Sequence, residues 1–549
     1  MNTNEQLLTF PINVKATLAH MKQDMRDDWF SDTLKYEDLF SVPKDLIDTI
    51  RTNLELGHGQ YVAGTKNIYD VPKASHGLRY SLEIDFYDRF LYQAICSYLI
   101  PYYDPLLSTR VLSHRYNKHR SKEKYLFKNR IELWQTFEGI THLCIKDGGA
   151  LLVTDLINYF EHISIASVEN SFLSLISKVK ASGAEKNKIR SAIFTLIALL
   201  KKWCFNDIHG LPQNRDASSF LANVVLVAVD QKMVELGYDY YRYVDDIRIV
   251  CGDSLKARKA LSDLISELRK LGLNINSKKT SILTSASLEQ DIKEFFPGYD
   301  DRSLAIDNMW KSKNKKVITR SVPLLYDMLM ELISKNETQS RQFRFCINRF
   351  KSLISTNIFE TKSIFAKEIS INIISHLVDQ PVSTDQFCRL LAGLELEMSE
   401  LQSIEAFMLD DAKAIFHWQN FHLWLLLAYK KYKSVSLVNK ALERTKSNKR
   451  DADIPACFIY LAAVGEEKQV EALIPNFQSD WPYQHQRFFL IAVQNSDSVT
   501  LKQLVPKITP QLMGTINRIK KNKQVSGLYI HEYENSSFEE IYEELSPYD

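Results

Sequence analysis

The chain has 549 residues, of which 45% are hydrophobic and 25% are charged, a balance typical of globular domains and not of disordered segments. Its length predicts roughly two to four compact units. The formal net charge of only +2 excludes a uniformly basic protein, so any surface for nucleic acid must be a local patch.

The cysteines and the apolar runs both indicate the cellular location of the protein. Seven cysteines are scattered and none forms a Cys-x-x-Cys pair, which predicts buried free thiols and neither disulfides nor a zinc site. The N-terminal residues lack a basic segment followed by a long apolar stretch, and no apolar run approaches the ~20 residues that a membrane span requires. We therefore expect a cytoplasmic protein with no membrane partner.

Residues 1–285 mix short β-like runs with helical stretches. The β-like runs are LCIKDGGALLVTDL, YYRYVDDIRIVC and NINSKKTSIL, and SFLANVVLVAVDQKMVELG is typical of a helix. Short strands alternating with helices in this way predict an α+β domain built on an antiparallel sheet.

The remainder of the chain changes character. The basic tract Trp310-KSKNKK-Val317 interrupts the hydrophobic pattern, so 286–330 is predicted to be a linker or thumb-like region. Residues 331–549 are predicted to be almost entirely helical, with pairs of about 35–45 residues that favour HEAT-like repeats, and a plain helical bundle is the alternative. Apolar spacing near 3.6 marks helices in PLLYDMLMELISK, RQFRFCINRFKSLIS, FAKEISINIISHLV, FHLWLLLAYKKY, SLVNKALERT, ACFIYLAAVG and QRFFLIAVQN.

The segment Tyr241-Arg-Tyr-Val-Asp-Asp-Ile-Arg-Ile-Val250 predicts a strand–turn–strand hairpin with Asp245 and Asp246 at its tip. Alternation along the strands would bury Val244, Ile247 and Ile249. A tight turn holds the two acids together, where their repulsion is unfavourable unless a cation is present. By itself such a pair is also common in solvated turns.

A third carboxylate comes from another predicted strand. Ala150-Leu-Leu-Val-Thr-Asp155 places Asp155 at the C-terminal end of an apolar run. Two-metal phosphoryl transfer needs carboxylates from separate strands to bridge two ions, one activating a 3′-hydroxyl and the other bracing the leaving pyrophosphate. Asp155 and Asp245 form the predicted bridging pair, with Asp246 assisting, for Mg²⁺ or alternatively Mn²⁺.

These segments resemble motifs of reverse transcriptases in the correct order over about residues 65–285. YVDD resembles motif C, and Asp155-Leu-Ile-Asn-Tyr-Phe160 resembles motif A. Gly210-Leu-Pro-Gln-Asn-Arg-Asp-Ala-Ser-Ser-Phe-Leu-Ala-Asn223 is similar to motif B, with Pro212, Gln213, Ser218 and Asn223 in register. Asn214 replaces the glycine of that motif and Ser219 replaces its proline, which leaves the approach of a template in question.

The resemblance also implies roles for individual residues. Lys279, in Leu271-Gly-Leu-Asn-Ile-Asn-Ser-Lys-Lys-Thr280, matches a motif D lysine that acts near the leaving pyrophosphate. Lys73 and Arg79 lie in a segment similar to the fingers region and are candidates for contacts to a triphosphate. Phe160 matches the aromatic residue that excludes a 2′-hydroxyl and so favours dNTPs, and a core phenylalanine is the alternative. Gln213 and Ser218 are further candidates for substrate contact.

Two features outside the motifs suggest partners. The tract Ser113-His-Arg-Tyr-Asn-Lys-His-Arg-Ser-Lys-Glu-Lys-Tyr125 interleaves cations and aromatic residues, as in surfaces that bind nucleic acid. A tyrosine hydroxyl can also replace the 3′-hydroxyl of a primer. The candidates for such priming in the acidic C-terminal segment are Tyr529, Tyr533, Tyr542 and Tyr548.

A palm domain followed by a long helical region most resembles the bacterial abortive-infection and other defence-associated, unknown-group reverse transcriptases. That resemblance implies antiphage defence, DNA synthesis with little or no template guidance, and homo-oligomers. One alternative is a reverse transcriptase templated by a non-coding RNA. A second alternative, from another class, is a scaffold protein with a vestigial palm, and an RNA-dependent RNA polymerase is the weakest.

Overall fold

The computed structural model describes residues 4–5, 7–74, 77–118, 126–146, 148–206, 208–296, 301–446 and 450–521. Its contacts divide the chain into two compact units. The palm unit contains Met1–Asp28, Leu46–Asn67 and Leu82–Gly298. The helical unit contains Trp29–Asp45, Ile68–Ser81 and Tyr299–Asp549. Each unit therefore combines segments that are far apart in the sequence.

The described strands form two small pairs and one four-stranded sheet. The strands are β1 (Asn4–Glu5), β2 (Ile12–Asn13), β3 (Asn67–Pro72), β4 (Leu78–Glu83), β5 (Ala150–Asp155), β6 (Asp239–Tyr243), β7 (Asp246–Cys251) and β8 (Ser281–Thr284). Strand β1 pairs with β2, β3 pairs with β4, and the four-stranded sheet has the order β6-β7-β5-β8. All its pairings are antiparallel, as the sequence predicts.

Twelve α-helices precede residue 297 among the described residues. They are α1 (Val14–Asp24), α2 (Glu37–Phe40), α3 (Pro43–Leu56), α4 (Phe86–Tyr103), α5 (Arg130–Lys146), α6 (Tyr159–His162), α7 (Ile165–Leu175), α8 (Gly183–Trp203), α9 (Asp216–Val225), α10 (Val227–Glu235), α11 (Ser254–Arg269) and α12 (Glu289–Phe295). Of these, α5, α10 and α11 contact this sheet. The single helix predicted from SFLANVVLVAVDQKMVELG is bent by 43° between α9 and α10.

Strand β5 lies in the middle of the four-stranded sheet. Leu152 is the register partner of Ile249 on β7 and of Ile282 on β8. Both α5 and α11 contact β5, and all six of its residues are buried. A strand covered in this way is almost continuously apolar, so the polar residue at its end, Asp155, is an exception that calls for a function.

The helical unit continues with fourteen further helices among the described residues. They are α13 (Asp301–Lys311), α14 (Lys315–Thr319), α15 (Val322–Ser334), α16 (Arg341–Ser355), α17 (Ile364–Ser375), α18 (Thr384–Gly393), α19 (Met398–Leu409), α20 (His417–Tyr429), α21 (Val435–Lys446), α22 (Ile454–Ala463), α23 (Glu467–Glu471), α24 (Tyr483–Ala492), α25 (Ser498–Leu504) and α26 (Met513–Lys521). All seven helices predicted from apolar spacing are present.

These helices form two rows. The even-numbered helices α16, α18, α20, α22 and α24 contact one another in succession, and so do the odd-numbered helices α15, α17, α19 and α21. Helices α20 and α22 are buried on nearly all sides, which explains why apolar residues are found all round them. Alternation of buried and half-exposed helices is typical of helical-repeat arrays.

Segments from the N-terminal part of the chain complete the helical unit. The guanidinium of Arg487, on α24, donates to Asp32 at 2.6 and 2.9 Å and to Asp38 at 2.7 and 2.8 Å. All three side chains are almost fully buried. Because buried charges require partners, these ion pairs anchor the segment Trp29–Asp45 in the helical unit.

The stretch 286–330, predicted to be a linker or thumb-like region, contains α12, α13, α14 and the start of α15. Its basic tract forms the turn between α13 and α14, and Trp310 is buried with its Nε1 donating to Ser321 Oγ at 2.9 Å. The hydrophobic pattern is interrupted here because the chain turns between two packed helices.

The described cysteines agree with the sequence expectation. The six cysteines whose side chains the structure describes are buried thiols that form no disulfide. Within the described ranges no single helix is long and apolar enough to cross a membrane, although the bent pair α9–α10 satisfies that test by length and composition.

Candidate active site

Two of the predicted site carboxylates meet across neighbouring strands. Asp155 ends β5 and Asp246 begins β7, and the two residues are register partners in the antiparallel ladder. Side chains of partners in such a ladder lie on the same face of the sheet, about 4.5–5.5 Å apart at their Cβ atoms. The hydrogen-bonding pattern of the sheet therefore brings Asp155 and Asp246 together.

The third carboxylate, Asp245, lies in the turn that joins β6 to β7. This turn contains only Val244 and Asp245, and Val244 has a φ of +54°. Left-handed φ values are rare for β-branched residues, because the branched Cβ crowds the backbone. As the sequence predicts, the side chains of Val244, Ile247 and Ile249 are buried, so the hairpin packs into the core. The tip of the hairpin carries both aspartates.

The electrostatics of the three carboxylates show that they are mutually close. Burial raises the pKa of Asp245 well above its usual range, and the charges of Asp246 and Asp155 raise it further. The Nζ atom of Lys279 lies 2.7 Å from Asp155 Oδ2. Partial desolvation lowers the pKa of Lys279, but its hydrogen bond to Asp155 and the charges of all three aspartates outweigh that effect and raise it.

The donor set suits a hard divalent cation. Mg²⁺ and Mn²⁺ prefer carboxylate oxygens, and Asp155, Asp245 and Asp246 supply them from one strand end and one tight turn. Burial is the largest cause of the raised pKa of Asp245, and the charges of Asp246 and Asp155, whose repulsion a cation would relieve, add to it. The residues present therefore fit the metal ions that the sequence predicts, with Lys279 as a nearby mobile cation.

A second group of potential metal ligands occurs in the helical unit. His417, Asp451 and Asp453 offer ligand atoms within 4.8 Å of one another. Arg444 donates to Asp451 at 3.0 Å and to Asp453 at 2.5 Å. The guanidinium already supplies the positive charge that these acids need, so the group is a structural ion-pair cluster.

Phe160 follows the first carboxylate strand and is half-buried. Its ring lies 5.6 Å from that of Tyr159, centroid to centroid, and its carbonyl accepts the N–H of Leu211 at 2.9 Å. The Tyr159 hydroxyl donates to the carbonyl of Ala222 on α9 at 2.7 Å. The segment with Phe160 is thus tied to both ends of the motif B region.

Asn214 lies in the loop before α9, at the position where the sequence analysis expects a glycine. Asn214 has a φ of +55°, in the left-handed region that asparagine tolerates better than most residues. Its Nδ2 donates to the carbonyl of Asp27 at 2.6 Å. The side chain of Asn214 therefore binds the loop to the N-terminal segment.

Two residues of this loop that are predicted to contact the substrate form hydrogen bonds within the protein. Ser218 is fully buried; its Oγ donates to the carbonyl of Pro212 at 2.5 Å and lies 2.8 Å from the Tyr92 hydroxyl. The predicted substrate contact of Ser218 is therefore corrected to support of the loop. Gln213 is half-buried, and its Nε2 donates to Glu161 Oε1 at 3.1 Å.

Lys73 and Arg79 lie at the two ends of the turn between β3 and β4. By their contacts both belong to the helical unit, and not to the palm unit that holds the carboxylates. The guanidinium of Arg79 lies over the ring of Trp29 at 5.9 Å. Contact of either residue with a triphosphate stays a prediction.

The described part of the basic and aromatic tract has structural partners. Arg115 donates to Asp104 Oδ1 at 2.9 Å and to three backbone carbonyls, and His114 pairs with Asp216 at 3.1 Å. Arg115 and His114 thus have partners within the protein, whereas 119–125 lie outside the described residues. The same holds for the candidate priming residues Tyr529, Tyr533, Tyr542 and Tyr548.

The sequence analysis did not single out the residues beneath the turn that carries Asp245. Arg242, on β6, is fully buried and pairs with Asp230 of α10, and Ser113 Oγ accepts the N–H of Val244 at 2.9 Å. Period-two alternation in β6 places Tyr240 and Arg242 on the same inward face. That pattern was the available signal, because an arginine at an inward position must have a buried partner.

No protein-family model and no curated protein matches this chain. Among solved structures, the chain is similar to telomerase from Candida albicans in complex with a TWJ fragment of telomeric RNA. The TM-score is 0.30 at 12% sequence identity, over 65% of this chain and 64% of that chain. The chain thus spans less than two thirds of the telomerase chain, and a likeness this weak carries no argument about function.

Proposed function

We propose that the chain is a reverse-transcriptase-like DNA polymerase that joins deoxynucleotides by two-metal nucleotidyl transfer. The observation that carries the proposal is the cross-strand pairing of Asp155 with Asp246, with Asp245 in the adjoining turn. Carboxylates from separate strands at one end of a sheet are what two-metal phosphoryl transfer requires. The order of the four motif-like segments along the chain supports the same proposal.

In this proposal Asp155, Asp245 and Asp246 hold two Mg²⁺ ions, with Mn²⁺ as an alternative. Once bound, such ions activate an attacking 3′-hydroxyl and stabilise the leaving pyrophosphate. Lys279 supplies a cation beside the same carboxylates, and its exposed side chain is able to reach a substrate phosphate. Because lysine carries its charge on a flexible stem, it suits an anion that changes position during the reaction.

The sugar preference follows from Phe160. A half-buried ring five residues after Asp155 is suited to excluding a 2′-hydroxyl by steric contact, as the resemblance to motif A implies. We therefore propose that dNTPs are the substrates, and that Gln213 contributes to binding through the loop that it shares with Asn214.

The altered motif B supports synthesis with little or no guidance by a template. Asn214 fills the space beside its own backbone and is held by Asp27, so the loop presents a side chain where the motif has none. Priming by a tyrosine, antiphage defence, assembly into homo-oligomers and a cytoplasmic location complete the proposal on the basis of the family resemblance. The two rows of helices are proposed to be HEAT-like repeats.

The proposal is tested by incubating the purified full-length protein with each labelled dNTP and Mg²⁺, with and without RNase, and sequencing the product. We expect incorporation of dNTPs in preference to rNTPs, and retention of the label on the polypeptide after denaturation. Asp245→Ala combined with Asp246→Ala should lower incorporation by about 10³-fold or more, since loss of one electrostatic group at a reacting centre already lowers rates by about 10²–10³.

The matched control is the double variant Asp239→Ala and Asp263→Ala, which removes two carboxylates that lie outside the turn. Asp239 begins β6 and Asp263 accepts from Tyr238, so neither lies in the turn at the other end of the hairpin. This variant should keep its activity. Equal use of rNTPs would reject the role of Phe160, and a product complementary to a co-purified RNA would reject untemplated synthesis.

A further inference from the structure

The backbone conformation of the turn that carries Asp245 is unfavourable by itself and depends on neighbouring side chains. Val244 has a φ of +54°, which is unfavourable for a branched side chain. Only glycine adopts such values as readily as negative ones. A valine that stays in this conformation must be held there by surrounding groups, and the direction of the neighbouring Asp245 carboxylate depends on them.

Two side chains hold both backbone polar groups of Val244. Its N–H donates to Ser113 Oγ at 2.9 Å, and its carbonyl accepts from Arg242 Nη1 at 2.9 Å. Both supporting residues are buried and both bond to Asn223 of α9: Asn223 Nδ2 donates to the Ser113 carbonyl at 2.9 Å, and Arg242 Nη1 donates to Asn223 Oδ1 at 2.7 Å. These contacts close a ring beneath the turn.

Arg242 is fully engaged in this ring. Its Nε and Nη2 donate to the two carboxylate oxygens of Asp230 at 2.8 and 2.6 Å, and Nη2 also reaches the carbonyl of Asn223 at 3.4 Å. With the two bonds from Nη1, every nitrogen of the guanidinium is used. The ion pair with Asp230 neutralises the arginine, so its contribution to the turn is geometric.

We propose that Arg242 is a positioning residue for Asp245, which it keeps directed toward Asp155 and Asp246 by fixing the left-handed Val244. The inference rests on the proposed function, because it assumes that the three aspartates hold metal ions. A lysine at this position retains the charge but offers only three donors from a single nitrogen, so it cannot reproduce the five bonds that the guanidinium makes to Asp230, Asn223 and Val244. The inference therefore predicts that charge alone is insufficient.

The test uses the full-length protein with Arg242→Lys and measures Mn²⁺ binding by the loss of the free-ion electron paramagnetic resonance signal, without substrate. We expect binding that is about 10- to 100-fold weaker, the usual effect of losing a group that orients a metal ligand. The Mg²⁺ concentration for half-maximal incorporation should rise correspondingly and kcat should fall. The KM for dNTP should change little, because the substitution does not touch the nucleotide.

The matched control is Arg487→Lys in the helical unit. Arg487 is also fully buried and also bonds to carboxylates through every part of its guanidinium, but it has no link to the turn. Both variants should lower thermal stability. Only Arg242→Lys should weaken Mn²⁺ binding, which separates positioning from a general loss of structure.

A second variant keeps the inference testable if Arg242→Lys fails to fold. Ser113→Ala removes the other support of Val244 without changing any charge, and it should also weaken Mn²⁺ binding. Adding Val244→Gly to either variant should restore part of the affinity, because glycine adopts the left-handed turn without external support. A residue with a merely structural role would show no such rescue.

The outcomes separate the inference from the proposed function. Weakened Mn²⁺ binding with rescue by Val244→Gly supports the positioning role even if the wild-type protein joins no nucleotides. Unchanged Mn²⁺ affinity in both Arg242→Lys and Ser113→Ala overturns the inference while leaving the polymerase proposal intact. Wild-type protein whose Mn²⁺ binding does not depend on Asp245 overturns both.

Discussion

At the scale of single residues, the candidate site depends on two left-handed positions that are not glycine. Val244 is held there by its neighbours, whereas Asn214 occupies the conformation more readily because its short polar side chain tolerates it. Asn214 also donates to Asp27 at 2.6 Å. Where the motif has glycine, this chain thus gains a bond to its own N-terminal segment.

The first prediction concerns Asn214. Asn214→Gly should preserve the backbone and lose one hydrogen bond, a loss of about 1 kcal/mol. Asn214→Ala loses the same bond and must also place an ordinary side chain in the left-handed region, which adds roughly 1–2 kcal/mol. Urea unfolding of the two variants should therefore rank glycine above alanine in stability.

The comparison of the two variants contains its own control, since the hydrogen bond is absent from both. Equal stabilities would show that the loop relaxes to a right-handed conformation when Asn214 is replaced. The activity of Asn214→Gly is a separate measurement, and templated synthesis by this variant would indicate that the asparagine side chain blocks a template.

At the scale of elements, helix α1 and the turn after it stabilise the palm unit through buried charges. Arg89 of α4 donates to Asp24 at 2.8 Å and to Asp28 at 2.6 Å. Arg215, next to Asn214, also donates to Asp28, at 3.1 Å. Burial raises the pKa of Asp28, although the charges of Arg89 and Arg215 oppose that shift.

The second prediction follows from this network. Arg89→Met keeps most of the side-chain volume but leaves Asp24 without its arginine and Asp28 with one fewer, and both acids stay buried. Removing one partner of a buried ion pair destabilises proteins by about 3–5 kcal/mol. Denaturant unfolding should show a loss of this order for the palm unit.

The matched control is Arg51→Ala on the surface of α3. Arg51 pairs with Asp48 at 3.3 Å, and about half of each side chain is exposed to solvent. Such pairs contribute less than about 1 kcal/mol. If Arg89→Met lowers the free energy of unfolding no more than the surface variant does, the network is not important for stability.

At the scale of the whole molecule, the helical unit contains buried histidines that stay neutral. Burial lowers the pKa of His422 and of His485 to about 4, from the usual 6.5. His422 Nε2 lies 3.2 Å from the carbonyl of Trp29, and His485 Nε2 lies 3.1 Å from the carbonyl of Asp451. Neutral imidazole suits these sites because it donates to one carbonyl without carrying a charge into the core.

The third prediction is a loss of stability in mild acid. Above about pH 6.5 neither the folded nor the unfolded state protonates these histidines, so their full contribution is present. Between about pH 6.5 and 4 only the unfolded state binds the proton, and stability falls as the pH falls. A shift from 6.5 to about 4 corresponds to about 3 kcal/mol for each histidine.

The measurement is urea unfolding from pH 7 to pH 4.5 for wild type and for His485→Gln, in which the amide can still donate to the carbonyl of Asp451. The variant should lose less stability across this range, and the difference between the proteins isolates the histidine. In the palm unit the buried carboxyl of Asp85 has the opposite effect on stability. Burial raises its pKa to about 6, so in mild acid the folded state takes up this proton before the unfolded state does. An identical pH dependence in both proteins would exclude the histidine as the cause.

Local pattern predicted much of the fold. Apolar spacing identified seven helices of the helical unit, and alternation identified the hairpin that carries Asp245 and Asp246. Period and alternation are properties of neighbouring residues, which is why they can be seen in one sequence. They could not show that α9 and α10 are bent apart, or that the tract near Trp310 is a turn between packed helices.

The site shows the same division. The sequence by itself determined which carboxylates are candidates. Strand ends and tight turns are local features, and the order of the motifs can be seen along the chain. Only the tertiary structure decided that Asp155 and Asp246 are register partners, that Ser218 supports the loop from within, and that Lys279 reaches Asp155. Pairings between distant segments depend on which strands meet, and single-sequence periodicity carries no information about that.

The support beneath the site and the make-up of the two units were also decided only in three dimensions. Arg242 on β6 meets Asn223 of α9 and Asp230 of α10, and Arg487 meets Asp32 from the far end of the chain. A buried arginine must find its carboxylate wherever packing places one. The sequence thus determined the candidate carboxylates and the helical pattern, and tertiary structure decided how distant buried charges hold them in place.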